Sequence, residues 1–130
     1  MGACYSIILK VKVLDESGAI KALNDHIAND TRTDYSLERY AAQGVTTETF
    51  NNLMRIFLAG WIGHWVDIYP ENGFTVYEND FDASYGWESV MMEMFETLTP
   101  FVKNGSELHI YIDNGYDKLV IKNGECVQVH

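Results

Sequence analysis

The residues best able to do chemistry lie between Arg55 and Lys103, a segment that contains no Lys or Arg. It holds Asp67, Glu71, Glu78, Asp80, Asp82, Glu88, Glu93 and Glu96, together with all three tryptophans of the chain. Carboxylates in such density can ligate a cation, exchange protons with a substrate, or receive a basic partner. Cation ligation fits poorly. Asp80, Asp82 and Ser84 imitate the start of a calcium loop, but that loop requires Gly at its sixth position and Glu at its twelfth. Counted from Asp80, those places hold Tyr85 and Met91, so no metal site is expected, and Glu78, Asp80 and Asp82 read as a solvated acidic loop rather than a weak cation site.

The remaining reactive side chains form no recognised constellation. His26, His64, His109 and His130 show no i, i+4 pair and no zinc-like spacing to Cys4 or Cys126. They read as structural histidines, with His64 and His109 on strands that could face each other. The two cysteines read as reduced thiols, since a disulfide would need the two ends of the chain to be neighbours. There is no nucleophile elbow, phosphate loop or dinucleotide fingerprint. No catalytic residue and no cofactor is therefore assigned, and a non-enzymatic protein is expected.

Charge points to a partner instead. The net charge is −10, and like charges crowded on a small domain repel one another unless something outside compensates. Only Lys10 and Lys12 share an obvious face, so phosphate binding has no basic cluster to use and direct contact with nucleic acid is excluded. The expected partner is a basic protein, one that itself binds nucleic acid. Glu78, Asp80, Asp82, Tyr85, Glu88, Met92, Glu93 and Glu96 are the candidate partner-binding residues, because spaced carboxylates can fill Arg and Lys sites that ordinarily hold phosphates. A small acidic chain without enzyme motifs is similar in general character to the inhibitors of phages and mobile elements, the anti-CRISPR and anti-restriction proteins. That likeness implies mimicry of DNA charge, and no motif identifies a family.

Two other readings use different residues. Trp61, Trp65, Tyr77, Tyr85 and Trp87 could line a pocket for a small molecule, which would make the chain a ligand-binding or enzymatic domain. The C-terminal edge at Val127, Val129 and His130 could pair with a second copy, giving a homodimer. No apolar run reaches the roughly 18–20 residues of a membrane span, and no secretory signal is seen. A cytoplasmic protein without membrane contact is expected.

The elements that must hold these residues are legible in outline. Residues 5–14 alternate, with Ile7, Leu9, Val11 and Val13 on one side and Lys10 and Lys12 on the other, as in a half-buried strand. Ile20, Leu23 and Ile27 recur at helical spacing after Ser17, a candidate N-cap. A short helix over 35–43 stops at Gly44. Phe50, Leu53, Met54, Phe57 and Leu58 mark a further helix, capped by Thr46 or Thr47 and ended by Gly60 and Gly63. His64 to Tyr69 and Phe74 to Tyr77 form a hairpin around Pro70-Glu71-Asn72-Gly73. Trp87, Val90, Met91, Met94, Phe95 and Leu98 share one arc of about 140° on a helical wheel, opposite Glu88, Glu93 and Glu96. Met92 falls among those glutamates. Residues 107–113, 117–122 and 125–129 make a meander around Asn114-Gly115 and Asn123-Gly124. Two-residue loops would set Ile110 opposite Leu119, Leu108 opposite Ile121, and Cys126 opposite Ile121. The order β-α-α-α-β-β-α-β-β-β predicts one α+β domain over residues 1–130 with a mainly antiparallel sheet.

Overall fold

Alternation at the N-terminus builds the central strand. In the computed structural model, which describes residues 2–59 and 66–129, β1 (Gly2–Val11) buries Ala3, Tyr5, Ile7, Leu9 and Val11 and turns Cys4, Ser6, Ile8 and Lys10 the other way. Strands β3 (Phe74–Ser84) and β4 (Glu107–Ile112) flank it, both antiparallel. Outside them lie β2 (Asp67–Glu71) on one side and β5 (Gly115–Lys122) with β6 (Glu125–Val129) on the other, so the six strands run β2-β3-β1-β4-β5-β6. Helices α1 (Glu16–Asn29), α2 (Leu37–Ala42), α3 (Phe50–Ala59) and α4 (Trp87–Leu98) share their core with the inward residues of the sheet. Among the described residues, they cover one face of it and leave the other bare. The element order is the predicted one, a single α+β domain on an antiparallel sheet. No helix of the described residues is long and apolar enough to cross a membrane.

The wheel of α4 is realised residue by residue. Trp87, Met91, Met94, Phe95 and Leu98 are buried, each large side chain contributing about 1.5–3 kcal/mol of burial. Trp87 also donates its indole N–H to the Phe57 carbonyl at 2.8 Å, which ties α4 to α3. Met92 departs from expectation: it is half-buried and rests against the core rather than standing among the glutamates. Gly86, just before α4, holds φ at 103°, where a side chain is strained.

Four local predictions are corrected. Asp15, not Ser17, caps α1, accepting from the Gly18 N–H at 3.0 Å. Thr49, not Thr46 or Thr47, caps α3 through its hydroxyl on the Asn52 N–H. The acidic segment 78–84 is not a loop: β3 continues through it to Ser84, paired along its length with β1. The β4–β5 register also differs, with Leu108 opposite Leu119 and Ile110 opposite Asp117. A shift of two residues leaves the same side chains inside, so hydrophobic patterning cannot distinguish the two registers. The observed one sets Tyr111 directly across from Tyr116, rings stacked at 4.6 Å, and aromatic cross-strand pairs stabilise a sheet. The turn then falls on Asp113-Asn114, with Asp113 at φ 49°. Cys126 opposite Ile121 stands as predicted, and both cysteines are free.

Candidate functional site

The bare face of the sheet gathers half of the predicted partner-binding residues. On β3 the outward positions are Glu78, Asp80 and Asp82, which pair across β1 with Ile8, Ser6 and Cys4. Asp67 on β2 pairs with Glu78, and Asp113 reaches the other flank of β1, its N–H donating to the Cys4 carbonyl at 3.3 Å. Alternate residues of a strand share a face and recur about every 6.8 Å. Five carboxylates therefore border a stretch of β1 that carries only Cys4, Ser6 and Ile8. Two adjoining clefts run along it. One of about 410 Å³ is lined by Ser6, Ile8, Asp67, Glu78 and Asp80, and one of about 310 Å³ by Cys4, Ser6, Asp80, Tyr111 and Asp113. Ser6 and Asp80 belong to both, and the Ser6 hydroxyl donates to Asp80.

Aromatic rings stand at the rim. Tyr85 is 61% exposed and donates its hydroxyl to Asp113 at 2.8 Å. That carboxylate, bonded to the neutral phenol and repelling its anion, raises the Tyr85 pKa. Cys4 is raised in the same way, first by its hydrogen bond with Asp82 and then by that carboxylate's charge, so its thiol is not activated. Tyr69 flanks the far end, its pKa raised by burial and then by Glu78. Among the described residues, no ion pair involves Asp67, Glu78, Asp80, Asp82 or Asp113. No group of three His, Cys, Asp or Glu side chains there is placed to hold a metal ion. Chemically, the arrangement is an anionic trough with phenolic walls, suited to guanidinium and ammonium groups.

The other predicted residues lie elsewhere. Glu88, Met92, Glu93 and Glu96 belong to α4, on the covered side of the sheet, and Glu88 and Glu93 are already engaged. Glu88 accepts from the Tyr5 hydroxyl at 2.5 Å and from the Gly86 N–H, while Glu93 meets Arg32 at 3.2 Å. Glu96 is exposed. The eight candidates thus divide into a sheet group with Tyr85 and a helix group. Asp67, Tyr111 and Asp113 were missed as site residues. Asp113 sits in a turn displaced from the predicted one, and nothing in the local sequence links it to Asp82.

The pocket of tryptophans and tyrosines is not assembled by its described members. Trp87 is buried against α3, Tyr77 donates to Asn51 at 2.6 Å beneath the sheet, and Tyr85 is outside. Trp61, Trp65, His64 and His130 lie outside the described residues. Compared with known proteins, the chain matches no family model, no curated protein and no solved structure.

Proposed function

We propose that this chain is a non-enzymatic binding protein that engages a basic, nucleic-acid-binding protein through the bare face of its sheet. It would do so as a mimic of nucleic-acid charge, in the manner of anti-CRISPR and anti-restriction inhibitors. The observation that carries this reading is the trough of five carboxylates on one sheet face, none paired to a cation among the described residues. Rigid strand pairing fixes the spacing of these charges before binding, which lowers the ordering cost of association. Exposed Tyr85 supplies an aromatic anchor beside the charge. The reading rests on Glu78, Asp80 and Asp82 more than on the α4 glutamates, which point from the opposite side.

The test is capture of basic proteins from host lysate at low ionic strength, with duplex DNA as competitor. DNA and raised salt should both release the captured partner. A variant with Glu78→Lys, Asp80→Lys and Asp82→Lys should capture nothing, while Glu93→Gln with Glu96→Gln should behave as the parent. The proposal fails if the parent retains no basic nucleic-acid-binding protein, or if the β3 variant retains the same set.

A second reading has one observation in its favour. The sheet has two edges, and they are unlike. β2 carries Pro70 between acidic ends, which blocks strand addition, whereas β6 reads ECVQV with Val127 and Val129 exposed. A second copy could add there, β6 against β6, to make a homodimer. Light scattering on the parent and on Val127→Lys decides it: a dimer converted to monomer supports pairing, and a parent monomer at high concentration ends it.

A further inference from the structure

The other half of the bare face holds three functional groups in line. Glu107 and His109 alternate on β4, and Tyr116 stands on β5 across from Tyr111. His109 Nε2 lies 2.8 Å from Glu107 Oε1, and Nδ1 lies 2.7 Å from the Tyr116 hydroxyl. An ionised carboxylate only accepts hydrogen bonds, so it fixes the proton of a neutral imidazole on Nε2. Lys118 Nζ lies 3.9 Å from the same Glu107 oxygen. Nδ1 is then the bare acceptor, and the phenol donates to it. Carboxylate, imidazole and hydroxyl in this order are the arrangement that activates oxygen nucleophiles.

The surroundings suit a reaction at the phenol rather than at the ring beneath it. Tyr116 is 49% exposed, while the His109 side chain is only 19% exposed. Tyr111 stacks on the Tyr116 ring, and Ile8 and Lys10 of β1 stand opposite His109 and Glu107. Burial, and then the neighbouring Tyr111 and Glu107, raise the phenol's pKa, so the phenol is a poor nucleophile unaided and depends on the hydrogen-bonded imidazole to take its proton. Tyr85 offers the internal comparison. Its hydroxyl is also exposed and hydrogen-bonded, but to a carboxylate, which is a much weaker base than imidazole.

We propose that Tyr116 is a base-activated nucleophile, a site of covalent acylation that His109 serves and Glu107 positions. With an activated acyl donor, Tyr116 Oη attacks the acyl carbon while His109 Nδ1 takes the phenolic proton. The new O–C bond forms, the bond to the leaving group breaks, and that group departs with its electron pair. The products are an acyl-tyrosine and an imidazolium that returns its proton to water.

The experiment treats the protein with p-nitrophenyl acetate, follows nitrophenolate release and locates the acetyl group by peptide mass mapping. Tyr116 should be acetylated at least about tenfold faster than Tyr85, below the full range of general-base assistance. His109→Gln should bring Tyr116 down to the Tyr85 rate, and Tyr116→Phe should abolish the fast release. Glu107→Gln should slow the step and move the midpoint of its pH–rate profile, which a merely structural residue would not do. Circular dichroism and thermal midpoints establish that each variant is folded. Equal labelling of Tyr116 and Tyr85, an unaffected rate in His109→Gln, or full release from Tyr116→Phe would each overturn the assignment. The last would mean that imidazole or lysine carries the acyl group instead.

Discussion

Single residues here act through what surrounds them, and Asp30 is the clearest case. Its side chain is 4% exposed and accepts the Tyr35 hydroxyl at 2.8 Å. That hydrogen bond, with the Arg32 N–H and guanidinium also near, holds the carboxyl at about 2, below its ordinary 3.8. A depressed folded pKa adds stability above the ordinary value and loses it as the pH falls toward the folded one. Removing the donor with Tyr35→Phe should raise the Asp30 pKa, weaken the protein at neutral pH and flatten its acid sensitivity between about pH 4 and 2. Carboxyl NMR titration and urea unfolding read those effects; an unmoved Asp30 pKa would show that Tyr35 is not the cause. Phe95, wholly buried under α4, tests packing: Phe95→Ala should cost about 3–5 kcal/mol in urea unfolding. Its burial was legible from spacing alone. The Asp30–Tyr35 bond was not, because no pattern marks a loop tyrosine that folds back on a helix end.

Elements differ in how far local sequence dictates them. Periodicity identified α3 and α4, since each buries a stripe of large apolar residues. Helix starts were harder, because several Ser, Thr and Asp residues compete for one cap and backbone direction selects among them. Asp15→Ala should therefore destabilise by about 0.5–2 kcal/mol, and Ser17→Ala by little. At Gly86 the positive φ meets no steric neighbour within 4 Å, so Gly86→Ala should cost only the backbone strain, about 1–2 kcal/mol. Thermal or urea unfolding separates these values from no effect. The acidic half of β3 was misread because Asn, Asp and Glu are poor strand formers. What holds it is pairing with β1, Phe81 buried beneath, and the Asn79 amide donating to the Leu58 carbonyl at 3.1 Å. The part of the trough on β3 exists because tertiary pairing overrode local preference.

For the whole molecule the governing quantity is charge set against a scaffold with one bare face. A net charge of −10 repels itself, and salt screens that repulsion over a Debye length of about 10 Å at 0.1 M. The thermal midpoint should rise as sodium chloride is added, and it should rise less in the Glu78→Lys, Asp80→Lys, Asp82→Lys variant. A midpoint indifferent to salt would show that the charges are too dispersed to matter. The sequence by itself determined the class of fold, the order of elements, the core of α4 and the run without a cation, since composition and periodicity are local properties of the chain. Only the tertiary structure decided which carboxylates share a face, which tyrosines border them, and that Glu107, His109 and Tyr116 stand in line. Those facts depend on strand order and register, and a two-residue slip in register moves side chains past one another without changing which of them are buried.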